Sequence, residues 1–174
     1  MKKELSDAFS AQINKEYFSA FLYLSMSDYF ANHGLKGAAN WTYVQYQEEL
    51  AHAQNLVHYL HVRNESASFK AIAEPKGQYK DPLSVFVAVL KHEATVTESI
   101  GQLATLAMQC NDHAAYNFLQ WYITEQVEEE GNVNDILDKL KMADNNPNAL
   151  LLIDSQLATR TYVEPVVPGV GTTV

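Results

Sequence analysis

Glu49 and His52 stand three residues apart in the stretch QYQEELAHAQ (residues 45–54), so on a helix they share one face. That face also carries Trp41, Leu56 and Tyr59, residue types that a helix normally buries. A carboxylate and an imidazole set into an apolar stripe offer lone pairs away from water, which is the chemistry of a metal ligand. Three other segments repeat the pattern. Glu16 fills the vacant place in the series Phe9, Ile13, x, Ala20, Leu24, and Glu93 does so in Phe86, Leu90, x, Thr97, Ile100. In Phe118, Tyr122, x, x, Val133, Ile136, Leu140 the gap holds Glu125 or Gln126, then Glu129.

Each feature alone has an ordinary explanation. A single helical Glu is commonly solvated, EQVEEEG by itself reads as a solvated charge run, and a lone His on an apolar face is commonly a hydrogen-bonded core residue. The combination does not fit those explanations. Burying a carboxylate costs several kcal/mol, so four or five unneutralised ones would exceed a domain's whole stability of roughly 5–15 kcal/mol. No Lys or Arg occupies the matching inward positions. Cations must supply the charge. Carboxylates with one imidazole, as an E-x-x-H on one helix and single Glu residues on others, form the carboxylate-bridged di-iron pattern of helical bundles.

The elements that would position these groups are long helices over about 4–31, 38–63, 82–110 and from NDHAAY to about 143. Gly34 and Gly37 in NHGLKG read as helix-end and restart signals, and Asp81 with Pro82 as the opening of the third helix. A fifth, shorter helix fits about 147–159, with Asn145 or Asn146 as its cap. The short connections make helices one and two, and three and four, antiparallel neighbours. The connection from Asn64 to Pro82 spans 19 residues. Extended, it reaches roughly 60 Å, against about 40 Å for a 27-residue helix, so it can run the bundle's length and leave helices two and three parallel. The expected fold is all-α: a four-helix bundle with one long crossover connection plus a short C-terminal fifth helix. The polar groups then meet within roughly 9 Å along the axis. One domain over residues 1–160 and an extended or disordered tail over 161–174 complete the expectation. Met26, Met108, Met142 and the aromatic stripes read as core packing, and Gly131 inside the fourth helix has no evident role.

With 12 basic and 21 acidic residues the formal net charge is −9, which disfavours nucleic acid and anionic membranes and favours cations. Cys110 is the only cysteine, which excludes a disulfide framework and a thiolate metal cluster. No apolar h-region follows the two N-terminal lysines and no run approaches membrane-spanning length, so a soluble cytoplasmic protein is expected.

INKEYFSAFLYLSMSDYF, QEELAHA, His92-Glu93 and FLQWYITEQVEEE together resemble the non-haem bacterial and archaeal ferritins, over Leu5 to Arg160. The resemblance implies a ferritin-like bundle in which Glu16, Glu49 and His52 hold one iron. Glu49 would bridge to a second iron held by Glu93 and Glu129, with Gln126 nearby. Tyr23 matches a family tyrosine beside the centre, a hydrogen-bond partner and electron donor, and Trp121 matches a tryptophan of similar role. Glu48, Glu125 and Glu128, with Glu129 shared, match a third iron site; a solvated acidic surface is the alternative reading of these three. The family further implies ferroxidase activity, in which Fe(II) is oxidised by dioxygen or hydrogen peroxide and stored as ferric mineral. The vessel would be a hollow shell of 24 subunits with octahedral symmetry, the fifth helix lining the four-fold axes. Departures from relatives sharpen this. Bacterioferritins carry a second E-x-x-H where this chain has Gln126 and Glu129, and a haem-ligating Met where it has Leu50, so no haem is expected. Rubrerythrins need four cysteines, and the DNA-protecting mini-ferritins share ligands between subunits and lack the fifth helix. The alternatives within the family are a catalytically weak structural chain and an iron-dependent peroxide-detoxifying protein.

Overall fold

In the computed structural model, residues 1–169 are described. They form α1 (Lys3–Asn32), α2 (Lys36–Val62), α3 (Pro82–Gln109), α4 (His113–Ala143) and α5 (Pro147–Leu157), with no strand among them. Residues 170–174 of the expected tail lie outside the described residues. Among the described residues no helix is long and apolar enough to cross a membrane.

Local chemistry sets the helix ends. Asp81 accepts from Ser84 N at 2.7 Å while Ser84 Oγ accepts from Asp81 N at 3.1 Å, a reciprocal cap with Pro82 in the first turn. Asp112 caps α4 through Ala115 N (3.0 Å) and also receives both Nη atoms of Arg63, which ties the α3–α4 turn to the end of α2. Asn146 caps α5. Gly34 ends α1 at φ +78°, a left-handed conformation that glycine adopts without strain. Gly37 is not a restart signal. It lies inside α2, where a Cβ would sit 1.7 Å from the carbonyl oxygen of Asp154, so its missing side chain lets α5 lie directly on α2.

The crossover does run the length of the bundle, along α1. Glu65 accepts from Ser6 Oγ (3.3 Å), Ser68 N donates to Ser10 Oγ (3.1 Å), Lys70 N to Asn14 Oδ1 (2.8 Å), and Lys76 O accepts from Ser25 Oγ (3.2 Å). Tyr79 finally meets Tyr29, their ring centroids 5.4 Å apart. The side chains of a single helix face thus hold the loop at Glu65, Ser68, Lys70 and Lys76, and α3 begins at the end of the bundle where α1 finishes.

The core is split. A lower cluster holds Phe9, Ile13, Leu56, Leu60 and the stacked pair Tyr59–Phe118 (3.9 Å). An upper cluster holds Tyr23, Phe30, Trp41, Phe86 and Leu137. Val167, beyond α5, is buried with the lower cluster. The inward rows differ in part from the expected stripes. Leu24, Ser27, Leu90 and Thr97 are only half-buried, and the core takes Tyr23, Met26, Phe30, Val89 and Val96 instead. Met108 and Met142 are exposed rather than core. The physical reason is the repeat. Residues 9, 16, 23 and 30 are all buried and advance by sevens, which is the spacing that keeps packed helices in contact, whereas the expected stripe drifted off that seam.

Candidate metal centre

Between the two apolar clusters lies a polar layer built from all four long helices. Glu16 comes from α1, Glu49 and His52 from α2, Glu93 from α3, and Gln126 and Glu129 from α4; each is at most 5% exposed. The four glutamates each occupy the middle of a buried seven-residue row: Phe9–Glu16–Tyr23, Thr42–Glu49–Leu56, Phe86–Glu93–Ile100, Tyr122–Glu129–Ile136. The rows that would close the core instead aim these groups at its centre.

One ligand atom from each of Glu16, Glu49 and His52 lies within 4.8 Å of the other two. Around them the chain supplies neutral donors. Gln12 Nε2 donates to Glu16 Oε1 (2.8 Å), Gln45 Nε2 to Glu129 Oε2 (2.9 Å) and Gln126 Nε2 to Glu93 Oε2 (3.1 Å). The Tyr23 hydroxyl donates to Glu93 Oε1, and the Tyr122 hydroxyl to the backbone oxygen of His52 (2.9 Å). Gln12 is itself held by Ser99 Oγ, which Lys15 Nζ reaches from the surface at 2.6 Å. What remains is specific. Among the described residues, Glu16 Oε2, Glu49 Oε2 and His52 Nε2 are buried with no hydrogen-bond partner and belong to the three residues that meet; Gln45 Oε1, beside them, is unpartnered as well. Orphaned lone pairs of this kind are costly unless a cation takes them up. Two carboxylates and an imidazole, with no thiolate, suit a divalent first-row ion such as iron, manganese or zinc.

Electrostatics agree. Burial, then the charges of Glu93, Glu16 and Glu129, holds the Glu49 carboxyl well above the usual carboxylate range. Burial likewise raises Glu16 and Glu93, and pushes Glu129 up to about 8 with help from Glu93. A bound cation reverses these shifts by favouring the ionised forms. His92, next to Glu93, is held below its ordinary range by burial and meets Ser19 Oγ at 2.8 Å. Tyr23 is wholly buried, and the ring of Trp121 stands edge-on to His52 with centroids 5.5 Å apart.

Glu48 and Glu125 lie half-buried on the flank of this layer, with Glu128 exposed beside Glu125. Burial raises both Glu48 and Glu125. Arg160 Nη2 is 2.6 Å from Glu48 Oε2, and its guanidinium lies 4.6 Å over the Trp41 ring. The inward positions of the four helices contain no Lys or Arg, but Arg160 enters from the chain beyond α5, where no helical periodicity points to it. Gln12, Gln45 and Ser99 were also missed. All three are buried neutral polar residues.

Residues 6–143 match the ferritin-like domain family. A bacterial non-heme ferritin of Campylobacter jejuni is 35% identical over 157 residues, 90% of this chain and 94% of that protein. One from Staphylococcus haemolyticus is 35% identical over 164 residues, 94% of this chain and 99% of that protein. Among solved structures, an open pore ferritin from the hyperthermophilic archaeon Archaeoglobus fulgidus superposes with a TM-score of 0.91 at 43% identity, covering 92% of this chain and 99% of that one. An engineered closed form of the Archaeoglobus fulgidus ferritin gives 0.92, again at 43% identity, covering 94% and 99%. With the family matched over most of its length, this chain belongs to the ferritin-like family.

Proposed function

We propose that this chain is an iron-storage protein with ferroxidase activity, taking ferrous iron as its substrate. The observation that carries the reading is the meeting of Glu16, Glu49 and His52, each of which also carries a buried, unpartnered ligand atom. Glu16, Glu49 and His52 hold one ferrous ion. Glu49 also reaches a second, held by Glu93 and Glu129, with Gln126 orienting Glu93. Carboxylates favour the harder ferric ion, so the site lowers the free energy of oxidation. Each ferrous ion gives one electron to dioxygen or hydrogen peroxide. Glu129, whose carboxyl burial pushes up to about 8, releases its proton as iron enters, and the amides of Gln12 and Gln45 keep the carboxylates oriented. Tyr23 holds Glu93 and, with Trp121, is placed to supply an electron. Glu48, Glu125 and Glu128, sharing Glu129, take a third iron on the flank.

Residues 1–160 act as one unit with the chain beyond Arg160 as an appended tail. The protein works in the cytoplasm as a closed 24-subunit octahedral shell that keeps ferric mineral inside. Leu151 and Leu152, exposed on α5, support burial between subunits at the four-fold axes.

Stopped-flow mixing of the iron-free protein with ferrous iron and dioxygen tests the centre. Glu49→Ala and His52→Ala should each abolish the fast phase of oxidation while assembly persists; unchanged fast kinetics in both would refute the assignment.

A further inference from the structure

Two arginines of this chain form ion pairs, in different ways. Arg63 is fully engaged: Nη1 donates to Asp112 Oδ1 (3.0 Å) and to the Tyr59 hydroxyl (2.6 Å), and Nη2 to Asp112 Oδ2 (2.8 Å). That is a structural clamp. Among the described residues, Arg160 hydrogen-bonds Glu48 through Nη2 alone, at 2.6 Å, and its Nη1 is buried with no hydrogen-bond partner. Half of its fork is unused beside Glu48, on the flank of the central layer. Its positive charge also acts on Glu125 and Glu129 as well as on Glu48, opposing the rise that burial causes in each.

The position is built. Asn40 Nδ2 donates to the backbone oxygens of Leu157 (3.5 Å), Ala158 (3.4 Å) and Arg160 (2.9 Å), so α2 holds the end of α5 and presents the arginine to its own Glu48. The Trp41 ring lies under the guanidinium at 4.6 Å, a weak second hold for a cation. The chain beyond is non-helical to Gly169, so the side chain has no helix of its own to keep it in place.

We propose that Arg160 is the resident counter-ion of the flank carboxylates and that it sets the affinity and order of metal filling there. An ion entering between Glu48 and Glu125 displaces the guanidinium, so the flank fills only after the central pair. The inference rests on the reading of Glu48, Glu125 and Glu128 as a third metal site. The arginine is an affinity-setting residue that need not touch the reacting ions. A single fixed positive charge satisfies Glu48 while the flank is empty, and a divalent ion has to compete with it. The central layer has no arginine or lysine in that role: Glu49 Oε2 faces only His52 Nδ1, at 3.5 Å, and the layer's orphaned atoms accept no hydrogen bond.

Calorimetric titration of the assembled, iron-free protein with Zn2+, which is redox-inert, reads the sites without any turnover. Arg160→Gln removes the charge, and Arg160→Met also keeps an apolar stem over Trp41. In both variants the first two equivalents per subunit should bind as in the parent, and the third about tenfold more tightly. Crystals of the parent soaked in Zn2+ should show the guanidinium moved off Glu48 wherever a third ion is bound. Unchanged or weaker third-site affinity in both variants overturns the proposal. So does a third ion coexisting with an intact Glu48–Arg160 pair, and so does the absence of any third equivalent. Loss of the first two equivalents would instead sink the reading of the central site, which the same titration measures separately.

Discussion

Gln12 Nε2 donates to Glu16 Oε1 at 2.8 Å, and the second oxygen of that carboxylate is the one left buried and unpartnered. A neutral amide, fixed by Ser99, therefore decides which oxygen of Glu16 is free for an ion.

The first prediction concerns that amide. Gln12→Leu keeps the volume of the buried row but leaves Glu16 free to rotate. Anaerobic ferrous binding at the first site should weaken by about tenfold, at the low end of the usual cost of losing a ligand's supporting partner. Helicity and assembly should not change. Binding equal to the parent's would show that packing alone orients Glu16.

A second prediction follows from the raised carboxyls. Glu16, Glu49, Glu93 and Glu129 hold protons more tightly in the folded than in the unfolded chain, whose carboxyls titrate near 4.5. Between that value and the folded one, about 8 for Glu129, the folded state binds more protons. Its stability must then fall as pH rises through this window. Denaturation of the metal-free protein across pH 5 to 8 should show this decline. Glu129→Gln should flatten it, and Zn2+ should abolish it. A stability that rises with pH in the absence of metal would contradict the burial of these groups as acids.

Much of this was legible in the sequence because burying a carboxylate is costly enough to leave a mark. Glu16, Glu49, His52, Glu93 and Glu129 each interrupt an apolar row, and the 19-residue connection forced the crossover. The supporting layer was not legible in the same way. Gln12, Gln45 and Ser99 are neutral, and neutral polar residues on a helix raise no energetic alarm until their burial is known. Arg160 was hidden because its place depends on how α5 folds back. Gly37 was misread because helix-end chemistry and close approach use the same residue type.

Glycines give a third prediction with opposite signs. A Cβ at Gly131 meets nothing within 4 Å, and the residue is exposed in mid-helix. Gly131→Ala should stabilise the chain by about 0.5–1 kcal/mol, the helical preference for Ala over Gly. Gly37→Ala has to push away the Asp154 backbone, and with it the hydrogen bond from Ala38 N to Asp154 Oδ1 at 2.8 Å. It should loosen α5 and raise its protease sensitivity while leaving the four long helices intact by circular dichroism.

The last prediction concerns what α5 is for. Leu150, Ile153 and Leu157 turn toward the chain's own bundle, near Leu35, Phe86 and Leu140. Leu151 and Leu152 point away and are 59% and 63% exposed, too apolar a pair to be left beside exposed Met142 in water. Neither leucine belongs to either core cluster of its own subunit, so changing both tests association separately from folding. Leu151→Ser with Leu152→Ser should keep parental helicity and shift sedimentation from a closed shell toward smaller species as protein concentration falls. Each buried leucine contributes roughly 1.5–3 kcal/mol, and the loss recurs at every copy of the contact. Iron oxidation at the central pair should continue, because its ligands come from one chain, while the ferric product should precipitate in solution instead of remaining enclosed. A shell that sediments as the parent does at every concentration would show that other surfaces hold it together.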